Sequence, residues 1–396
     1  MTSPDLSVVV VHHRGLPHLL EALEAIEASE RGLAAETLLV DNTAGADLTE
    51  VGRRHPAVRR VAAPGNVGFA AGCRLGAQAA KAPTLVLVND DAVVEAPALE
   101  RLATAVSGAP EDVVAVAGRL TDREGLRNDF SDGFLTFDGH AFAADVGRPV
   151  ERLPAAVPGE ERLFASGGLM AARRDAFLSS GFDEDYFAYL EDVDFGWRQW
   201  IFGRRIVAEP RAVARHRGGA TAEALGIFAR GFLFERNAFA TAYKNFDPEH
   251  FQALMPAVLA AFVGRVAEML ATRNPGAREL ERDPYAPRSA RRRALAALFG
   301  ISPHAASATR LDDPLTAAHL RALLWIHRHR EALAAKRRAV QERRRRPDAE
   351  IFARFPLRIV PTYPGDAQFE SEFFGEFLAG APRLIRSTLQ EIFEAR

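Results

Sequence analysis

Residues 6–11, Leu-Ser-Val-Val-Val-Val, form an almost continuous apolar, β-branched run. Such a run lacks the alternation of a half-exposed strand. It predicts a strand buried on both faces, as in a parallel sheet. His12-His13-Arg14-Gly15 ends it, and Pro17 to Ala28 follows with Leu19, Leu20, Leu23 and Ile26 on one helical stripe. The alternation then repeats. Thr37 to Val40, Val58 to Ala62, Thr84 to Val88 and Val113 to Ala117 read as strands, with helices at Phe69 to Ala80 and Pro97 to Val106. Strands and helices in alternation predict an α/β fold with a mostly parallel sheet.

Leu120 to Pro158 is rich in Gly, Asp and Phe without clear periodicity, and reads as irregular loops over a site. Ser166-Gly167-Gly168 is a tight turn or a place of close backbone approach. Asp175 to Ser180 and Val193 to Phe202 read as helices, the second stopped by Gly203. Arg205 to Ala208 reads as a last strand, and Pro210 to Arg217 leads through His216. Beyond Ala220 helical patterns take over. Asp247-Pro248-Glu249 is a helix start, followed by an apolar stripe from Phe251 to Leu270 that Pro256 should kink. Asn274 to Pro287 reads as a linker, Leu315 to Arg346 as one long Arg-rich helix, and Phe369 to Arg396 as mostly helical. The division is an α/β unit over 1–221 and a helical unit over 222–396.

Composition narrows the function classes. The 396 residues carry a net charge of −2, which gives no reason to expect nucleic acid as a partner. The single cysteine, Cys73, excludes an intrachain disulfide and a cysteine zinc site, and fits a reducing compartment. The first residues show no signal-peptide pattern, and no long apolar run predicts a membrane-spanning helix.

Ligands of open α/β sheets bind beyond the carboxyl ends of the strands. Three polar clusters fall there: His12-His13-Arg14, Asp41-Asn42 and Asn89-Asp90-Asp91. Each alone could be an ordinary turn; together they point to a site. Adjacent carboxylates such as Asp90 and Asp91 suit a divalent cation that bridges phosphates, and His216 could add an imidazole ligand that favours manganese. A lone histidine is more often a plain surface or core residue. Gly65-Asn66-Val67-Gly68 precedes a helix, but its spacing and its place after the third strand argue against a dinucleotide loop. Glu191, Asp192 and Asp194 lie among Phe187, Tyr189, Phe195, Trp197 and Trp200. Carboxylates among apolar rings make better bases, although acidic residues also favour the first turn of any helix. One of Trp197 and Trp200 is expected in the core and the other facing an acceptor.

Taken in order, these residues resemble the family 2 inverting glycosyltransferases of the GT-A fold, in particular the rhamnosyltransferase-like branch. The resemblance covers Leu6 to Thr221, with an echo at Arg236-Asn237 and Lys244-Asn245. It rests on Val8-Val9-Val10-Val11, Val40-Asp41-Asn42, Asn66-Val67-Gly68-Phe69-Ala70, Asn89-Asp90-Asp91, Ser166-Gly167-Gly168, Gly181-Phe182-Asp183-Glu184 through Glu191-Asp192-Val193-Asp194, and His216. It implies that Asp41 contacts the nucleotide base and Asp90 the ribose. It further implies that Asp91 and His216 hold Mn2+ or Mg2+, and that Asp192 is the general base with Glu191 beside it. Asn66 and Gly68 join the nucleotide site by the same resemblance. His12 and Arg14 stand in a stretch that departs from the family's usual Thr-Tyr-Asn, and Asp90 stands where this branch often has Pro.

The implied activity is metal-dependent, inverting transfer from a UDP- or dTDP-sugar to a hydroxyl of a glycan, a lipid-linked glycan or a protein. The other reading is a scaffold that binds sugar nucleotide or glycan without turnover. The expected location is cytoplasmic. Peripheral contact at the inner face of a membrane, through the Arg343–Arg346 end, and homo-oligomerisation are further roles open to the helical unit.

Overall fold

The computed structural model describes residues 4–218, 220–273 and 313–393; the Asn274–Pro287 linker lies outside them. The first run is β1 (Leu6–His12), followed by α1 (Leu16–Ser29), β2 (Ala35–Asp41), α2 (Thr49–Arg54), β3 (Arg59–Ala62), α3 (Gly68–Ala79) and β4 (Thr84–Asn89). Then come β5 (Ala92–Val94), α4 (Ala98–Ser107) and β6 (Val113–Thr121). The stretch read as irregular loops contains three short strands, β7 (Asn128–Phe130), β8 (Gly133–Leu135) and β9 (Ala141–Ala143). After β10 (Leu169–Arg173), α5 (Arg174–Ser180) and α6 (Glu191–Ile201), β11 runs unbroken from Arg205 to His216.

These strands form one nine-stranded sheet in the order β3-β2-β1-β4-β10-β6-β11-β5, with β7 on β6. β1 to β4, β6 and β11 are parallel, whereas β10 lies antiparallel between β4 and β6. Burial on both faces follows the pleat. Val8, Val10, Leu39, Val86 and Val88 join one core cluster with Leu19, Leu23, Leu99 and Leu102 of α1 and α4. Val9, Val11, Leu38, Val40, Leu85 and Leu87 join the other, against Ala70, Cys73 and Ala77 of α3. Small residues on α3 let it sit close to β1: a Cβ at Gly72 would meet Val11 at 2.6 Å.

The helical region begins with α7 (Ala220–Asn245) and α8 (Pro248–Arg273), which runs as one element through an exposed Pro256. The long Arg-rich helix is two helices, α9 (Pro314–Arg328) and α10 (Arg330–Glu342), broken at His329, and α11 (Asp348–Arg354) follows. Phe369 to Phe393 is only partly helical. The arginines after α10 pack onto the α/β region. Arg343 lies 4.1 Å from the Phe202 ring and Arg346 5.1 Å from Trp200. Arg344 pairs with Asp348 at 3.1 Å and donates to the Asn245 carbonyl. α8 is long and apolar enough to cross a membrane by length and composition. In the fold it buries Leu254, Met255, Val258, Ala261, Arg265 and Met269.

Candidate active site at the carboxyl edge of the sheet

Parallel pairing brings the strand ends into line. His12 stands opposite Asp41 across β1 and β2, and Val11 opposite Asn89 across β1 and β4. His12 is buried, and its Nδ1 lies 2.6 Å from Asp90 Oδ2. Asp41 accepts from the Thr43 amide and hydroxyl and pairs with Arg60 at 2.8 Å, which outweighs burial and holds its carboxyl below the usual range. Arg14 is exposed just past β1.

Asn66 and Gly68 shape the turn into α3. Asn66 Oδ1 accepts from Asn42 Nδ2 at 3.1 Å and from the Gly68 amide at 3.1 Å. Gly68 has φ 85°, and a Cβ there would lie 2.5 Å from the Phe187 carbonyl oxygen. Only glycine tolerates both conditions. The Ala70 amide donates to that same carbonyl at 3.2 Å, so the aromatic loop before α6 closes on the start of α3.

Asp91, just past β4, and His216, at the end of β11, are far apart in sequence but come together, with Asp91 Oδ1 3.1 Å from His216 Nε2. Asn89 Nδ2 is 3.2 Å from the same nitrogen. On the other side of the ring, Nδ1 meets Asp129 Oδ2 at 2.7 Å. Burial opposes charge on His216, but Asp129 and Asp91 outweigh it and push the imidazole up to about 10. His216 in turn holds Asp91 below its ordinary value despite burial. The donor set fits a divalent cation, because ligands of about 2.1 Å set at right angles stand about 3 Å apart. Beside it is a cavity of about 100 Å³ lined by His18, Glu21, Asp91, Val93, Arg123, Arg215 and Arg217. A larger cleft, about 710 Å³, lies at the opposite edge near Val113 and Arg205, where β6 and β11 begin, and holds none of these groups.

Asp192 occupies the first turn of α6. Its Oδ2 accepts from the Gly167 amide at 3.0 Å and its Oδ1 from the Val193 amide at 2.8 Å. Gly168 accepts from the Asn89 amide at 3.1 Å, which ties this turn to the end of β4. Glu191 is buried, and its Oε2 has no hydrogen-bond partner. Burial and the neighbouring Asp192 push Glu191 up to about 8. Burial also raises Asp192, but the two amides favour its charged form. Trp197 and Trp200 are both fully buried, contrary to an acceptor-facing role for one of them. Their indoles donate to Asp348 and to the Arg162 carbonyl.

Residues 7–179 match the family model of glycosyl transferase family 2. The match covers less than half of the chain. No curated protein matches it. The structure of GalNAc-T7 with UDP, GalNAc and Mn2+ is similar at a TM-score of 0.50 and 18% identity, covering 65% of this chain and 51% of that one. The chain thus spans about half the length of that relative, and the likeness is one of fold, GT-A. The mannosyltransferase PcManGT from Pyrobaculum calidifontis, in complex with GDP-Man and Mn2+, is similar at 0.45 and 18% identity, over 82% and 87% of the two chains.

The helical region supplies side chains that the family 2 match does not reach. Phe187, Tyr189 and Leu190 all have positive φ, at 65°, 70° and 64°. Such residues cost of order 1–3 kcal/mol each unless neighbours hold them. Asn237 Nδ2 on α7 donates to the Tyr186, Ala188 and Tyr189 carbonyls, and Arg236 to those of Asp185 and Tyr186. Lys244 reaches Asp183 at 2.6 Å and Asp194 at 3.1 Å. The sequence echo at Arg236-Asn237 and Lys244-Asn245 marks these contacts. Asp129 had no such signal, since it sits in the stretch read as loop. A further acid and histidine cluster, Asp247, His250 and Asp348, is buried where α8 and α11 begin. Its oxygens are in use: Asp247 Oδ2 accepts from the Asp348 amide at 2.9 Å and Asp348 Oδ2 from the Asp247 amide at 2.6 Å. That arrangement is reciprocal helix capping.

Proposed function

We propose that this chain is a metal-dependent inverting glycosyltransferase that uses a UDP- or dTDP-sugar. The observation that carries the reading is the convergence of Asp91, His216 and Asp192 on one sheet edge through Asn89 and the Gly167-Gly168 turn. The fold-level neighbour GalNAc-T7 was solved with UDP and Mn2+. Asp91 and His216 would hold a divalent cation, which would neutralise charge on a departing diphosphate. Asp41 and Asn66 would face the base, with His12, Asp90 and Arg14 beside the ribose and phosphates. Asp192 would accept the proton of an acceptor hydroxyl as its oxygen bonds to the anomeric carbon and the nucleoside diphosphate leaves from the opposite face. Glu191 stays protonated beside it. The acceptor is a glycan, a lipid-linked glycan or a protein, and the location is cytoplasmic.

The test is release of nucleoside diphosphate from a panel of UDP- and dTDP-sugars with Mn2+. Asp192→Asn should lower kcat at least 100-fold with donor KM little changed, because the substitution is isosteric and removes only the base. Near-wild-type turnover by Asp192→Asn, with loss in Glu191→Gln, would reverse the assignment. Donor binding without turnover on any acceptor would favour the scaffold.

A further inference from the structure

We infer that Asp129 is a positioning residue that sets the ring of His216 for the cation; the inference rests on the metal site proposed above. Asp129 lies on β7, in the insertion between β6 and β10, and is part of no motif that carries the family resemblance. Its Oδ2 stands 2.7 Å from His216 Nδ1, while Nε2 of the same ring faces Asp91 at 3.1 Å. An imidazole binds a cation only through a nitrogen with a free lone pair, so the ring proton must sit on the other nitrogen. Asp129 accepts that proton's hydrogen bond, which leaves Nε2 for the metal and fixes the ring plane. Carboxylates behind ligating histidines commonly matter by 10–100-fold in metal affinity. The placement of Asp129 is itself held. The neighbouring Asn128 donates through Nδ2 to the Ala144 and Asp145 carbonyls at 3.0 and 3.2 Å, which pins β7 to the far arm of the insertion. The insertion thereby reaches this edge through Asp129.

The experiment titrates Mn2+ into wild type, Asp129→Ala, Asp129→Asn and His216→Ala with UDP or dTDP present, reading free Mn2+ by electron paramagnetic resonance. Asp129 is partly exposed, at 38%, so its removal leaves the core intact. The expected result is a 10–100-fold weaker Mn2+ affinity in Asp129→Ala. Asp129→Asn should be intermediate, because its amide oxygen still accepts from Nδ1. Equal affinity in wild type and Asp129→Ala, with loss in His216→Ala, overturns the positioning role and leaves the metal site standing. No Mn2+ binding by the wild type overturns both.

Discussion

Glu191 and Asp192 are neighbours in sequence with opposite electrostatic settings. Asp192 has two amide donors on its carboxylate, whereas Glu191 is buried with an unpartnered oxygen. Acids among aromatics marked this pair as a candidate base in the sequence, and the family resemblance pointed to Asp192. Their different settings come from the backbone. The helix begins at Glu191, two residues before the expected Val193, and that shift puts Asp192 against the Gly167 amide. The pH consequence is specific. Glu191 has a folded pKa of about 8, above its unfolded value near 4.5. Between those values the folded state retains a proton that the unfolded state has lost, so the group lowers stability as pH rises through that window. Glu191→Gln should therefore gain Tm over wild type, with a gain that is small at pH 4.5 and grows up to pH 8. Calorimetry across that range checks it; a gain independent of pH would contradict it.

At the scale of elements, the sequence placed β1 to β4 and β6, and it placed α1 by its apolar stripe, α3 by its small residues and α4. β10 was not announced. Leu169-Met170-Ala171-Ala172 has no β-branched residue, and its strand form comes from lying between β4 and β6. The break between α9 and α10 was equally silent; there His329 takes φ −104° and ψ 13°, while its Nδ1 lies 2.8 Å from the Trp325 carbonyl. The loop from Phe187 to Leu190 depends on α7, and Asn237 alone donates to three of its carbonyls. Asn237→Ala should cost about 1–3 kcal/mol by urea denaturation. Catalysis should fall while nucleoside diphosphate binding stays within a few-fold, since Asp41, Asp91 and His216 sit at the ends of β2, β4 and β11. Unchanged turnover would mean the loop holds its strained form unaided.

Across the molecule, a buried ion network joins the insertion to the helical region. Arg265 on α8 pairs with Asp138 at 2.7 Å, Asp366 at 2.6 Å and Glu235 at 3.6 Å. His140 lies 3.1 Å from Asp138 and 3.3 Å from Glu235, and these carboxylates outweigh burial to push it up to about 9. Removing one member of such a network strands the rest, so Arg265→Met should cost about 3–5 kcal/mol in urea denaturation. A cost under about 1 kcal/mol, the size of an exposed pair, would show the network to be relaxed by water. Sequence periodicity could not reveal this joint, because its members come from segments that share no pattern. At the carboxyl edge of the sheet, the proposed function requires that a nucleoside diphosphate bind through a cation on Asp91 and His216. Isothermal titration of UDP and dTDP, with Mn2+ or with EDTA, tests that claim in wild type and Asp91→Ala. Binding is expected with Mn2+, and it should be lost in EDTA and lost in Asp91→Ala. Equal affinity under all of these conditions would contradict it.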